Sequence, residues 1–577
     1  MPVEERLERN RPNPFAAKGL LATDSTTPTP VLLYDLRQRP LLRDYTTFYA
    51  EFFEEIEEAE RRRADQLARR LEVFQLQWWA QSLELRTGEG GGADERTASE
   101  GQMKERLPVA HTFSRILSRR GFLTAGGAGL AGVLLGAAGA EVYEVEDGPC
   151  TSAQPDSDPN GSPDLHGNWE AVRDQFELRR DRVHMAGFLL ASHPRPVRDA
   201  IETHRRALDA DPAGYLHENG ARLEGEVRDA AAHYLEASPD DIALTDSTTM
   251  GLGLLYGGLK LREGQEILTT VHDHYATANS LRLRAERTGA AVRWIGLYED
   301  LATVSKDEIV GNLIEAVRPQ TRVVAVTWVH SSTGLKLPIR EMADALAEVN
   351  RGRDEDDRAL LCVDGVHGFG VEDASVADLG CDFFVAGCHK WLFGPRGTGL
   401  VWGKPEAWPV ASPTIPTFDG PAPGEWIGAH SYGNWWNAAA EGPLPMATAM
   451  TPGGYHSFEH RWALNAAFAL HQNIGKPLVA DRIHELNRRL KEGMAELSHV
   501  ILRTPIDEEL SAGITCFDTE GLSFEGAVPW LAERGIVASQ APYHTSYTRL
   551  APSLLTSPEE VDETLDALRH LNSAFVQ

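Results

Sequence analysis

Cys381-Asp382-Phe383-Phe384-Val385-Ala386-Gly387-Cys388-His389-Lys390-Trp391 reads as a short apolar strand that ends on a His-Lys pair. The turn Gly394-Pro395-Arg396-Gly397-Thr398-Gly399 follows it. A lysine at a strand end, in a partly desolvated loop, has its amine pushed toward the neutral, nucleophilic form, because burial disfavours the charged state. A lone lysine is ordinarily a solvated surface group; the glycine turn, which lets backbone approach a ligand closely, weighs against that here. Outward from this stretch, apolar runs at Glu266–Thr270, 322–327, 359–363 and 383–385 alternate with helical patterns from about Trp169 onward. That alternation predicts an α/β domain with a mostly parallel central sheet. Further on, Ile483, Leu486, Leu490, Met494 and Leu497 fall on one helical face, and 500–503 and 513–517 are strand candidates. They predict a small α+β C-terminal domain.

Three other segments carry chemistry. In Leu361-Cys362-Val363-Asp364-Gly365-Val366-His367-Gly368 an apolar strand delivers Asp364 at its C-terminal edge, where ligands bind in parallel sheets. An acid there suits pyridoxal 5′-phosphate (PLP) chemistry, which needs the pyridine nitrogen kept protonated; a turn or helix-cap residue is the plainer alternative. His367 is placed to hydrogen-bond the ring hydroxyl. Thr245-Asp246-Ser247-Thr248-Thr249-Met250-Gly251 opens a helix near Thr249, and a helix N-terminus offers free N–H groups to a phosphate. Plain N-capping explains the same hydroxyls. In His272-Asp273-His274-Tyr275, just after a strand, an aromatic could stack on a flat ring, or the segment could be a surface loop.

This set, in this order, resembles the class V aminotransferase group of PLP enzymes, which includes cysteine desulfurases, kynureninase and isopenicillin N epimerase. The resemblance spans roughly residues 180–575. It implies the PLP-dependent transferase fold type I: a large domain with a mostly parallel central sheet, a small α+β C-terminal domain, and a homodimer with the active site at the interface. It implies that Lys390 forms the Schiff base and shuttles the α-proton, and that Asp364 pairs with the pyridinium nitrogen. His367 and Ser331, in Val329-His330-Ser331-Ser332-Thr333-Gly334, would contact the ring oxygen. Thr248, Thr249 and His389 would bind phosphate, with Ser457 a candidate for the contact made across the interface. His274, preferred over Tyr275, would stack on the ring. Arg549 would hold the carboxylate of an amino-acid substrate, and its planar fork suits that task. Desulfurases carry a cysteine in the loop before that arginine, whereas 535–547 contains none here. The pattern is therefore closest to isopenicillin N epimerase-like members: transamination or epimerisation at the α-carbon, with a C–S or other β-lyase as the alternative. Gly387 stands where desulfurases often have a phosphate-binding hydroxyl. A rival from another class is the zinc-peptidase pattern H-x-x-E-H at His456, Glu459 and His460; Pro452, Gly453 and Gly454 just before it argue for a loop, and no metal site is expected.

Composition bounds the rest. The 577 residues carry a net charge of −29, which argues against nucleic acid or an anionic membrane as partner. Five cysteines exclude a disulfide scaffold. Residues 122–140 hold no charge and are mostly Gly, Ala and Leu. Ser118-Arg119-Arg120-Gly121-Phe122-Leu123 at the start and Ala138-Gly139-Ala140 at the end resemble a twin-arginine export signal. The G-x-G-x-x-G at Gly127, Gly129 and Gly132 lies inside this segment and lacks the strand a dinucleotide site needs. The expected organisation is an N-terminal extension over 1–102 (helical, or upstream of a start at Met103), a signal segment over 103–140, a flexible linker over 141–168, a large PLP-binding domain over 169–445 and a small domain over 446–577. Export through the twin-arginine machinery follows if the signal is used, and a cytoplasmic location if it is not.

Overall fold

The computed structural model describes residues 164–418 and 444–571. The N-terminal extension, the twin-arginine-type segment and all but the end of the linker lie outside the described residues.

The described chain opens with a short helix (Trp169–Arg173), followed by a two-residue strand, β1 (Val183–His184), and helices α1 (Arg195–Ala210) and α2 (Pro212–Leu235). Strand and helix then alternate: β2 (Ile242–Thr245), α3 (Thr248–Gly258), β3 (Glu266–Thr270), α4 (Tyr275–Thr288), β4 (Ala291–Ile295), α5 (Lys306–Ala316), β5 (Thr321–Thr327), α6 (Ile339–Asn350), β6 (Leu360–Asp364), β7 (Phe383–Gly387) and β8 (Gly399–Gly403). These strands form one seven-stranded sheet in the order β2-β8-β7-β6-β5-β3-β4, parallel except for β8, which runs antiparallel to both neighbours. Every residue of β5, β6 and β7 is buried. Parallel strands covered on both faces cannot alternate polar and apolar positions, and that is why they read as continuous apolar runs. In register, Thr327 lies beside Asp364 and Asp364 beside Val385, so the C-terminal ends of β5, β6 and β7 gather at one edge. The approach is close: a Cβ on Gly365 would lie 2.0 Å from the Phe384 ring.

Beyond the large sheet come α7 (Phe458–Ile474), α8 (Lys476–Ala495), β9 (Val500–Leu502), β10 (Thr515–Thr519), α9 (Phe524–Glu533), β11 (Ile536–Val537), β12 (Ser539–Gln540), β13 (Thr548–Leu550) and α10 (Pro558–Leu571). The antiparallel sheet β12-β13-β10-β9 makes the second lobe. Its apolar face packs Phe517 and Leu550 against Leu486, Leu490 and Met494 of α8 and Leu565 and Leu568 of α10. The short helix Met446–Met450 packs on β2, and α7 packs on α1 and α2. β1 pairs with β11, drawing the start of the described chain into the small lobe. Neither arrangement leaves a local pattern, because each is a long-range contact.

Candidate active site

Four loops at the C-terminal edge of the large sheet, together with residues from both ends of the described chain, enclose a cavity of about 150 Å³. Its lining includes Ser247, Thr248, Thr249, His274, Ser331, Asp364, His367, His389, Lys390 and Arg549. Of the residues expected from sequence, only Ser457 is missing from this wall; it is exposed just ahead of α7.

Each side chain is delivered by a definable local structure. The helix that Thr248 opens begins one residue earlier than its pattern implies, and Ser247 caps it, Oγ accepting from Met250 N at 3.2 Å. Thr248 and Thr249 thus occupy the first helical positions, whose N–H groups have no partner within the helix. His274 caps α4, its Nδ1 accepting from Ala276 N at 3.2 Å, while Tyr275 is 58% exposed. The turn that aims His274 is fixed by buried Asp273, whose Oδ2 accepts from Thr270 N and from the Thr269 and Thr270 hydroxyls. Arg549, on β13, donates from Nε to Ser539 Oγ at 3.3 Å and from Nη1 to the Ser331 carbonyl at 2.9 Å. Its guanidinium also stands 4.9 Å over the Phe188 ring. Among the described residues these contacts fix the plane of the fork and leave Nη2 without a protein partner.

The protonation states follow from hydrogen-bond arithmetic. Trp391 Nε1 can only donate, and it faces His367 Nδ1 at 3.3 Å, so Nδ1 is the acceptor. Burial and the neighbouring cations Lys390 and Arg549 hold this imidazole neutral, far below its usual titration range. The neutral ring then carries its proton on Nε2, which lies 3.1 Å from Lys390 Nζ and donates to it. In the fraction of Lys390 that is neutral, the amine lone pair accepts that proton. Burial, opposed by Asp364, pulls the Lys390 pKa down to about 8. Asp364, 2% exposed with Oδ1 accepting only from Val366 N at 3.2 Å, is pushed by burial up to about 6. Desolvation also holds His274 near 4. The result is a carboxylate without an ion-pair partner and an easily deprotonated amine at one cavity.

Several participants carried no motif. Phe188 and Leu189 enter from ahead of α1, and Tyr543 places its hydroxyl 2.8 Å from Ser331 Oγ and its ring edge-on to His274. Leu189 is 48% exposed where it borders the cavity. Gly387 also has a steric reason. A Cβ there would come within 2.9 Å of Thr248 Oγ1, so the strand end and the helix start are in near contact.

The zinc-peptidase pattern is not assembled. His456 precedes α7, with Nδ1 at 3.2 Å from the Gly454 carbonyl, while His460 turns its Nδ1 to the Arg396 carbonyl at 2.8 Å. The glycines upstream keep His456 off the helix on which a shared metal would require it. Among the described residues no group of three or more His, Cys, Asp or Glu could hold a metal ion.

The aminotransferase class-V family model matches residues 191–551. The chain is 24% identical over 437 residues to a probable cysteine desulfurase of Streptomyces coelicolor, covering 70% of this chain and 97% of that protein. It is 25% identical over 409 residues to isopenicillin N epimerase of Streptomyces clavuligerus, covering 70% and 98%. Among solved structures, a C-DES variant with glycine covalently linked to its PLP cofactor superposes with a TM-score of 0.60 at 21% identity, over 69% of this chain and 98% of that one. The apo cysteine desulfurase of Thermococcus onnurineus gives 0.57 at 19%, over 70% and 98%. These structural likenesses show the fold: PLP-dependent fold type I.

Proposed function

The chain belongs to the aminotransferase class-V family of PLP-dependent enzymes, and on that premise we propose that it works at the α-carbon of an amino acid, by transamination or epimerisation, without a cysteine nucleophile. The residues at the cavity fit the cofactor. The buried Asp364 carboxylate has no ion-pair partner in the protein, and a protonated pyridine would supply one; burial lowers the Lys390 pKa toward working pH; and the start of α3 offers unpaired N–H groups to a phosphate. Bound PLP supplies an electron sink for charge developing at the α-carbon.

The chain's own residues do the rest. Lys390 Nζ anchors the cofactor carbonyl and, once released, takes and returns the α-proton, a task for an amine whose pKa is near working pH. His367 Nε2–H holds that amine in place. Asp364 keeps a positive charge at the end of β6. Arg549, its plane set by Ser331 and Ser539, is the one guanidinium among the described residues that lines the cavity, and it captures the substrate carboxylate.

The single observation that carries the proposal is that Lys390, Asp364 and Arg549 converge on one cavity that no described cysteine lines. Cys362, Cys381, Cys388 and Cys516 are all buried, and burial pushes their thiols up, Cys381 and Cys516 to about 12. A thiol held that far from its thiolate is a poor nucleophile. An amino-acid screen in D2O tests this. We expect α-deuterium incorporation in at least one substrate, with keto-acid or inverted amino acid as product, and no sulfide from cysteine. Sulfide release that survives Cys→Ala replacement at all five positions would select the β-lyase reading instead; sulfide release that depends on one cysteine would overturn the proposal.

The proposal extends to the homodimer, supported by the family resemblance, and to export, supported by Arg119-Arg120 and the Ala138-Gly139-Ala140 end.

A further inference from the structure

The pattern around His456, Glu459 and His460 has no part in the site above, yet its segment touches that site at two places. Arg461, buried in the first turn of α7, donates from Nη2 to Asp246 Oδ1 at 3.1 Å. Asp246 immediately precedes Ser247 and the threonines that open α3. One position earlier, His460 donates from Nδ1 to the Arg396 carbonyl at 2.8 Å, in the loop that follows Lys390. One turn along, Leu464 packs against Gly394 of the same loop, so closely that a Cβ on Gly394 would lie 2.9 Å from Leu464 Cδ1.

Arg461 is itself held from behind. Glu224 of α2 places Oε1 at 3.7 Å from Arg461 Nη1 and at 3.6 Å from His456 Nε2. Burial alone would push that carboxyl up; His456, Arg461 and Arg228 hold it below its usual value. A guanidinium balanced by carboxylates from two other elements has one low-energy position, because moving it would strand a buried charge.

We propose that Arg461 is a positioning residue for the cofactor: through Asp246 it fixes the phosphate-binding arm, while His460 on the same turn fixes the lysine arm, so that the start of α7 sets the spacing between them. The inference rests on the PLP reading. A rigid helical turn tied to both arms transmits geometry that neither loop could hold alone.

The test uses apo protein titrated with PLP and, separately, with pyridoxal, which lacks the phosphate, following absorbance of the lysine adduct. The variants are Asp246→Asn, Arg461→Met and Arg461→Lys. Loss of one charge-assisted hydrogen bond predicts that the Kd for PLP rises about tenfold in Asp246→Asn and Arg461→Met and is partly restored in Arg461→Lys. Pyridoxal binding should change less than about twofold, because the lost contact acts only on the phosphate arm. Asp246 is partly exposed, so Asp246→Asn keeps the test decisive if Arg461→Met does not fold. Equal weakening of both ligands, or of neither, overturns the inference alone. A wild-type protein that takes up neither ligand overturns the functional reading and this inference with it.

Discussion

Lys390 and Asp364 form a pair that the apo protein holds at a cost. With the Lys390 pKa near 8, only about a tenth of the amine is neutral at pH 7. Cofactor uptake by apo protein should therefore be about ten times slower at pH 7 than on a plateau above pH 9, measured by stopped-flow absorbance. A flat profile would remove the account of Lys390 as a desolvated amine. The stability linkage has a definite sign. The unfolded chain binds more protons than the folded one between about 8 and 10.5, so Lys390 makes the apo protein more stable as pH rises through that window. Asp364 is the converse case. Its folded pKa lies above the unfolded one, and it costs stability as pH rises from 3.8 to about 6. Asp364→Asn should stabilise apo protein at pH 7 by about 3 kcal/mol in urea titrations. The same change should lower turnover on the order of 10²–10³-fold, since the charge that steadies the cofactor ring is gone. A variant both less stable and fully active would contradict both halves.

At the scale of elements, the site is the meeting of β7's end with α3's start. Gly387→Ser would place an atom against Thr248 and displace the first turn of the phosphate helix. PLP affinity should fall at least about tenfold by fluorescence titration, while pyridoxal affinity falls less. A hydroxyl that instead improved PLP binding would show that the cradle has room the structure denies. This scale also shows what sequence could reveal. β3, β5, β6 and β7 were legible because buried parallel strands are unbroken apolar runs, and Asp364, His367, His389 and Lys390 because each lies within a few residues of such a run. Thr248 and His274 were legible as residues at strand-to-helix turns. Phe188 and Ser539 were harder to read, since nothing in their neighbours marks them and they come to the site only through β1–β11 pairing and the second lobe. Arg461 is 215 positions from Asp246, and no local periodicity encodes that ion pair. The H-x-x-E-H pattern misled in the other direction, because spacing alone ignores the glycines that take His456 off the helix.

At the scale of the molecule, the lobes are joined by a buried charge cluster. Glu372 accepts from Lys336 Nζ at 2.8 Å and pairs with His484 of α8 at 3.0 Å, all three at most 17% exposed. Despite burial, His484 and Lys336 keep the Glu372 carboxyl below its usual value. Glu372→Ala leaves Lys336 Nζ and His484 Nε2 without their shared partner at the seam and should cost about 3 kcal/mol of unfolding free energy. An unchanged urea midpoint would show that the lobes are held by apolar packing alone. The length of the chain also gains a meaning. The family model matches residues 191–551, well after the twin-arginine-type segment. Export with cleavage after Ala140 predicts native protein that begins at Glu141, and Arg119→Lys/Arg120→Lys should retain the precursor inside the cell. N-terminal sequencing of native protein checks both.

The central claim is that Lys390 carries the cofactor. Apo protein is mixed with PLP, reduced with borohydride, digested and mapped by mass spectrometry. The account predicts one pyridoxyl-phosphate adduct, on the peptide containing Lys390, and none in Lys390→Ala. An adduct on another lysine, or no adduct at all, would contradict it.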